Sequence, residues 1–116
     1  MEITERTTQD IVVIDLQGRL TTVDDGAQRL REKLGSLFFD GQSKVLINLG
    51  SVPHIDSSGL GELVRCSLIA KRANASLKLF GITPRVVELL TITRLVTEFD
   101  TYETEQEAIA SCLAAA

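Results

Sequence analysis

The chain has 116 residues, 44% of them hydrophobic, with 12 basic against 16 acidic residues and a formal net charge of -4, a length that fits a single domain over 1–116. This balance offers no cationic surface for neutralising phosphates, so binding to nucleic acid is not expected. No apolar run approaches the ~20 residues of a membrane span, and the start, MEITERTTQD, lacks a basic lead and an apolar signal core; the expectation is a cytoplasmic protein without direct membrane insertion.

In chain order, Ile3 to Thr8 and Ile11 to Leu16 read as two short strands around the polar break Gln9-Asp10, an antiparallel hairpin without the favoured Asn-Gly or Asp-Gly turn. Gly18 ends the second strand. Thr21-Thr22-Val23-Asp24-Asp25 then offers capping oxygens, and Ala27, Leu30, Leu34, Leu37 and Phe38 mark one face of a helix closed by Asp40-Gly41. Val45-Leu46-Ile47-Asn48-Leu49 is a nearly unbroken apolar run, as expected of a central strand buried on both faces. Strand, helix and strand form a crossover unit that should be parallel and right-handed.

After Gly50, Ser51 and Pro53, the residues Leu60, Leu63, Val64, Ser67 and Leu68 recur at helical spacing and predict a second helix, with Glu62, Arg65, Cys66 and Ile69 on its outer side. Leu77 to Phe80 is a further strand. Thr83-Pro84 places a capping hydroxyl before a proline at the first helical position, with Val86, Val87, Leu89 and Leu90 carrying a short third helix. A last strand is expected over Thr97 to Asp100. Thr104 and Glu107 have capping-box spacing for a final helix with Ala108, Ile109, Cys112 and Leu113 on its apolar side, and the trailing alanines are expected to fray. Cys66 and Cys112 both sit in apolar helical patterns and read as reduced core residues.

The turn Asp56-Ser57-Ser58-Gly59 lies between the central strand and the second helix. There a parallel sheet exposes the carboxyl ends of its strands and a helix offers unpaired N–H groups. A phosphate on Ser57 or Ser58 would meet those donors and the favourable end of the helix dipole, so modification need not unfold the domain. Taken alone, the same four residues also fit a structural cap with close-packing glycines. His54, Asp56 and a serine are hydrolase residue types, but side chains two to four apart on one loop rarely form both contacts of a triad, and no G-x-S-x-G elbow is present. His54 is the one histidine and there is no G-x-x-x-x-G-K-[ST] loop. No catalytic residue, cofactor or metal is therefore expected.

The order of elements, the strand VLINL, the turn IDSSGLGEL and the later FGITPRVVELLTITRL resemble the STAS domain of bacterial anti-sigma-factor antagonists over almost the whole chain. The resemblance implies an α/β STAS fold, a mixed but mostly parallel β-sheet of about five short strands packed with four helices. In that family the serine kinase that is itself the anti-sigma factor phosphorylates the hydroxyl residue before the glycine. Here that residue is Ser58, with Ser57 as the alternative. The unmodified antagonist binds the kinase and frees the sigma factor, and a phosphatase acting on phosphoserine resets the cycle. Many members place an aspartate directly after the Gly-x-Leu that ends the second strand. This chain has Thr21 there, after Gly18-Arg19-Leu20, and Asp24 and Asp25 are the two candidates for the vacated role. The resemblance thus implies a switch loop or partner-binding surface of Thr21, Asp24, Asp25, Asp56, Ser57 and Gly59 around Ser58. STAS domains also serve as subunits of lipid-transport ABC complexes and in sensory assemblies, which is the alternative reading.

Overall fold

A hairpin opens the fold: β1 (Glu2–Thr8) pairs antiparallel with β2 (Ile11–Gln17), from Glu2 opposite Gln17 to Thr8 opposite Ile11. Gln9 and Asp10 both adopt positive φ, 51° and 65°, the left-handed pair that a two-residue hairpin turn demands. The turn therefore forms without the glycine whose absence stood out in the sequence. The structure, a computed structural model, describes residues 1–21, 25–94 and 99–114.

Thereafter strands and helices alternate: α1 (Gly26–Phe39), β3 (Lys44–Ser51), α2 (Ser57–Arg72), β4 (Ser76–Phe80), α3 (Pro84–Ile92), β5 (Asp100–Tyr102) and α4 (Glu105–Ala114). The sheet runs β1-β2-β3-β4-β5, with β2 to β5 mutually parallel, giving the expected mixed, mostly parallel sheet with four helices. Parity along the strands sorts the core into two layers. Val12, Ile14 and Leu16 of β2 and Val45, Ile47 and Leu49 of β3 face α1, α2 and α3, meeting Leu30, Leu34, Leu60, Leu63, Val86 and Leu90. Ile11, Val13, Leu46 and Phe80 face the other way, against Ala108 and Cys112 of α4. β3 is central and covered on both sides, which is why its apolar run barely alternates.

Cys66 lies in the first layer and Cys112 in the second, so the sheet separates the two buried thiols and both remain free. Burial pushes the Cys66 thiol up to about 12, reinforced by the charge of Glu62, and burial likewise raises Cys112. Neither is a nucleophile at neutral pH.

Several local expectations changed, among them that Val87 and Leu113 lie on the apolar faces of α3 and α4, since both are exposed. The last strand begins at Asp100, where the sequence reading ended it, because pairing with β4 runs from Lys78 opposite Asp100 to Phe80 opposite Tyr102; residues 97–98 lie outside the described residues. Glu62 and Cys66 are not on an outer side of α2, since both are buried, Glu62 at 6% exposure, on the flank that meets α1. Leu68 faces solvent instead. The alanines at 115–116 also lie outside the described residues.

The α4 layer is tied to the hairpin by charge. Arg6 of β1 pairs with Asp15 of β2 at 2.7 Å and with Glu105 at the start of α4, and Asn48 of β3 donates to Asp15 at 2.9 Å. The Arg6 guanidinium holds both carboxyls below their ordinary range, and they raise Arg6 in turn.

Candidate functional site

Beyond their regular ends, β2 and β3 stay side by side. Gly18 N–H donates to the Ser51 carbonyl at 3.1 Å, Leu20 N–H donates to the His54 carbonyl at 3.0 Å, and Leu20 forms an isolated parallel bridge with Ile55. Leu20 and Ile55 are buried while His54 is half-buried, so His54 serves as a loop residue. This pairing brings the segment ending in Thr21 beside the turn that starts α2.

Gly59 makes the approach possible. A Cβ at this position would lie 1.9 Å from the Leu20 carbonyl oxygen and 2.7 Å from its carbon, both backbone atoms. Any side chain would force the first turn of α2 off the β2 extension, so the glycine answers a need for close approach. Leu20 and Gly59 together fix where α2 begins.

Asp56 caps that helix. Its backbone is extended, with φ -98° and ψ 179°, and its side chain accepts from Gly59 N–H at 2.7 Å, while its carbonyl accepts from Leu60 N–H at 2.9 Å. The capping role thus falls to Asp56, which removes it from Ser58. Ser57 and Ser58 occupy the first two helical positions, both exposed, and their N–H groups have no partner among the described residues. No acidic residue stands in the first turn of α2, so its dipole has no side-chain charge within the helix to offset it beyond the cap.

Of the residues expected around Ser58, the structure brings together Thr21, Asp56, Ser57 and Gly59. Thr21 is buried at 6% exposure directly after Leu20. Asp25 stands just before α1, makes no capping hydrogen bond from its side chain, and pairs instead with Arg29 at 3.1 Å, so of the stretch Thr21 to Asp25 it is not Asp25 that supplies the capping oxygen. Asp24 lies outside the described residues. Among the described residues no group of three or more His, Cys, Asp or Glu side chains is placed to hold a metal, and no helix is long and apolar enough to cross a membrane.

One cluster escaped the sequence reading. Glu62 is gripped by Arg31 of α1, whose Nη1 donates to both carboxylate oxygens at 3.1 and 3.2 Å, and by Arg65 of α2 at 2.8 Å. The spacing of Glu62 and Arg65 was a visible local signal; the contribution of Arg31 was not. Arg31 and Glu62 are each the sixth residue of their helices, so the contact joins the second turns of α1 and α2.

Comparison with known proteins agrees with the fold. A candidate anti-sigma-factor antagonist from Thermotoga maritima superposes with a TM-score of 0.85 at 21% identity, covering 94% of this chain and 92% of its own. The anti-sigma factor antagonist SpoIIAA in its unphosphorylated form superposes at 0.74 with 17% identity, covering 99% and 100%. The phosphorylated form of SpoIIAA from Bacillus gives 0.72 at 22% identity, covering 96% and 99%. These likenesses establish the fold. Among curated protein sequences none matches. The family model described as STAS domain matches residues 2–108, nearly the whole chain, and the chain therefore belongs to the STAS domain family.

Proposed function

We propose that this chain is an anti-sigma-factor antagonist, a cytoplasmic binding module and not an enzyme, whose unmodified form binds a serine-kinase anti-sigma factor and is switched off by phosphorylation of Ser58. The observation that carries this reading is the start of α2, where an exposed Ser58 sits over open N–H donors while Asp56 supplies the cap and Gly59 seats the turn on Leu20. A kinase that transfers the γ-phosphoryl group of ATP to the Ser58 hydroxyl adds about -1.5 to -2 of charge and three acceptor oxygens to that tip. At an interface that excludes water, this brings repulsion beside Asp56 and a desolvation cost, and 1.4 kcal/mol is already tenfold in affinity. The fold itself is expected to persist. The similar TM-scores to the unphosphorylated and phosphorylated forms of SpoIIAA, 0.74 and 0.72, support that expectation. Asp56 and Ser57 line the surface that the kinase reads, over the buried Thr21 and Gly59, with Asp24 or Asp25 as the candidates for the vacated aspartate role, and a phosphoserine phosphatase restores it.

The test is binding of a serine kinase encoded by the same genome to native protein, Ser58→Ala and Ser58→Asp, with mass mapping after incubation with ATP and magnesium. Native protein and Ser58→Ala bind, Ser58→Asp binds more weakly, and one phosphate appears on Ser58 of the native protein alone. A phosphate on Ser57 moves the site by one residue and leaves the mechanism. Firm binding to a transporter ATPase, with none to any such kinase, overturns the reading.

A further inference from the structure

Glu62 lies one helical turn beyond Ser58 on the same face of α2, because residues four apart stack one above the other. A buried carboxylate needs one well-placed cation; this one has two, leaving an excess of positive charge on the flank shared with α1. Arg31 engages Glu62 through Nη1 alone, so its Nη2 and Nε hydrogens have no partner among the described residues. Helical side chains lean toward the N-terminus of their own helix. The Glu62 side chain leans that way from four residues, roughly 6 Å, beyond Ser58, and the Arg31 guanidinium is held at its carboxylate. Arg65 meets the same Glu62 oxygen at 2.8 Å, but its side chain is 63% exposed against 36% for Arg31, so Arg31 is the better held of the two cations.

We propose that Arg31 is the phosphate receptor of the switch: once a phosphoryl group is on Ser58, the Arg31 guanidinium bridges it to Glu62 through the N–H groups that Glu62 leaves unused. The planar fork of arginine suits one carboxylate and one phosphate at once, as a lysine does not. The modified state is then a defined arrangement over the flank between α1 and α2, with the new charge drawn onto α1. The occurrence of this state in the cell rests on the reading of Ser58 above, but the geometry does not. The other charged groups around it are Asp56 and Arg65 on α2, Glu62 itself, and Asp25 paired with Arg29 at the start of α1.

Phosphoserine introduced at position 58 during translation requires no kinase, and a phosphorus-31 pH titration then reads the second ionisation of the phosphate directly. A cation in contact lowers that pKa, so the native background titrates about one unit below Arg31→Met, with Arg31→Lys between them and Arg65→Met near native. Since Arg31→Met leaves buried Glu62 with one partner, the same comparison is made between Glu62→Gln and Arg31→Met/Glu62→Gln, in which no buried carboxylate is stranded. Identical titration with and without Arg31 overturns the proposal, as does a shift that follows Arg65→Met instead. A kinase that leaves Ser58 unmodified counts against the functional reading and not against this one.

Discussion

The starts of α2 and α4 are built from similar parts and put to different uses. Each has an oxygen cap, Asp56 on Gly59 N–H at 2.7 Å and Thr104 on Glu107 N–H at 3.2 Å. In α4 the first turn carries its own anions, Glu105 and Glu107, and Glu105 also holds Arg6 of the hairpin. The dipole of that helix is answered from within and the helix is moored. In α2 the first turn holds two serines and two glycines around Leu60, with no anion, and is seated by backbone contact with Leu20. A helix start that supplies its own negative charge serves as structure, while one that offers hydroxyls and open donors is able to receive negative charge later.

The largest effect is expected where α2 is seated. Gly59→Ala places a Cβ within 1.9 Å of the Leu20 carbonyl oxygen, so backbone must move, and a loss of about 1–3 kcal/mol is expected in chemical denaturation, together with loss of kinase binding. No change in stability would show that the first turn of α2 is not held by that approach. Asp56→Ala removes the cap and should cost about 0.5–2 kcal/mol, against a similar or smaller loss for Thr104→Ala, whose bond is longer.

The mooring of α4 carries a pH signature. Asp15 and Glu105 have folded pKa values below their unfolded ones, so their contribution is present above the unfolded values and is lost as pH falls through the folded values. Arg6→Met should flatten the acid limb of a stability-against-pH curve. The amplitude should stay under about 1 kcal/mol, because these side chains are 30% to 43% exposed and solvent screens them. An unchanged acid limb would remove the ion pairs from the account of α4. The smallest effect on stability belongs to Ser58→Ala, expected within about 0.5 kcal/mol because Asp56 holds the cap. A loss near that of Asp56→Ala would return the capping role to Ser58. The contrast between the two helix starts is sharpest if the substitution that matters least to folding abolishes the switch.

The helices and most strands, the caps at Thr83 and Thr104, the buried central strand and the position of the exposed serines are legible in the local pattern, because each rests on residues a few places apart. Thr83 accepts from Val86 N–H at 3.4 Å with Pro84 at the first helical position, as its spacing predicts. The remaining features depend on residues far apart in the chain. The start of β5 at Asp100 is not legible locally, because a three-residue edge strand is defined by register with β4 and not by its own pattern. Glu62 and Cys66 looked solvent-facing because an amphipathic stripe cannot reveal that a second helix will cover its flank, nor that Arg31 will arrive there to hold the charge. Gly59 was legible as a glycine near a helix start, but its necessity is not local: it comes from the Leu20 carbonyl, which the sheet carries into contact from the preceding strand.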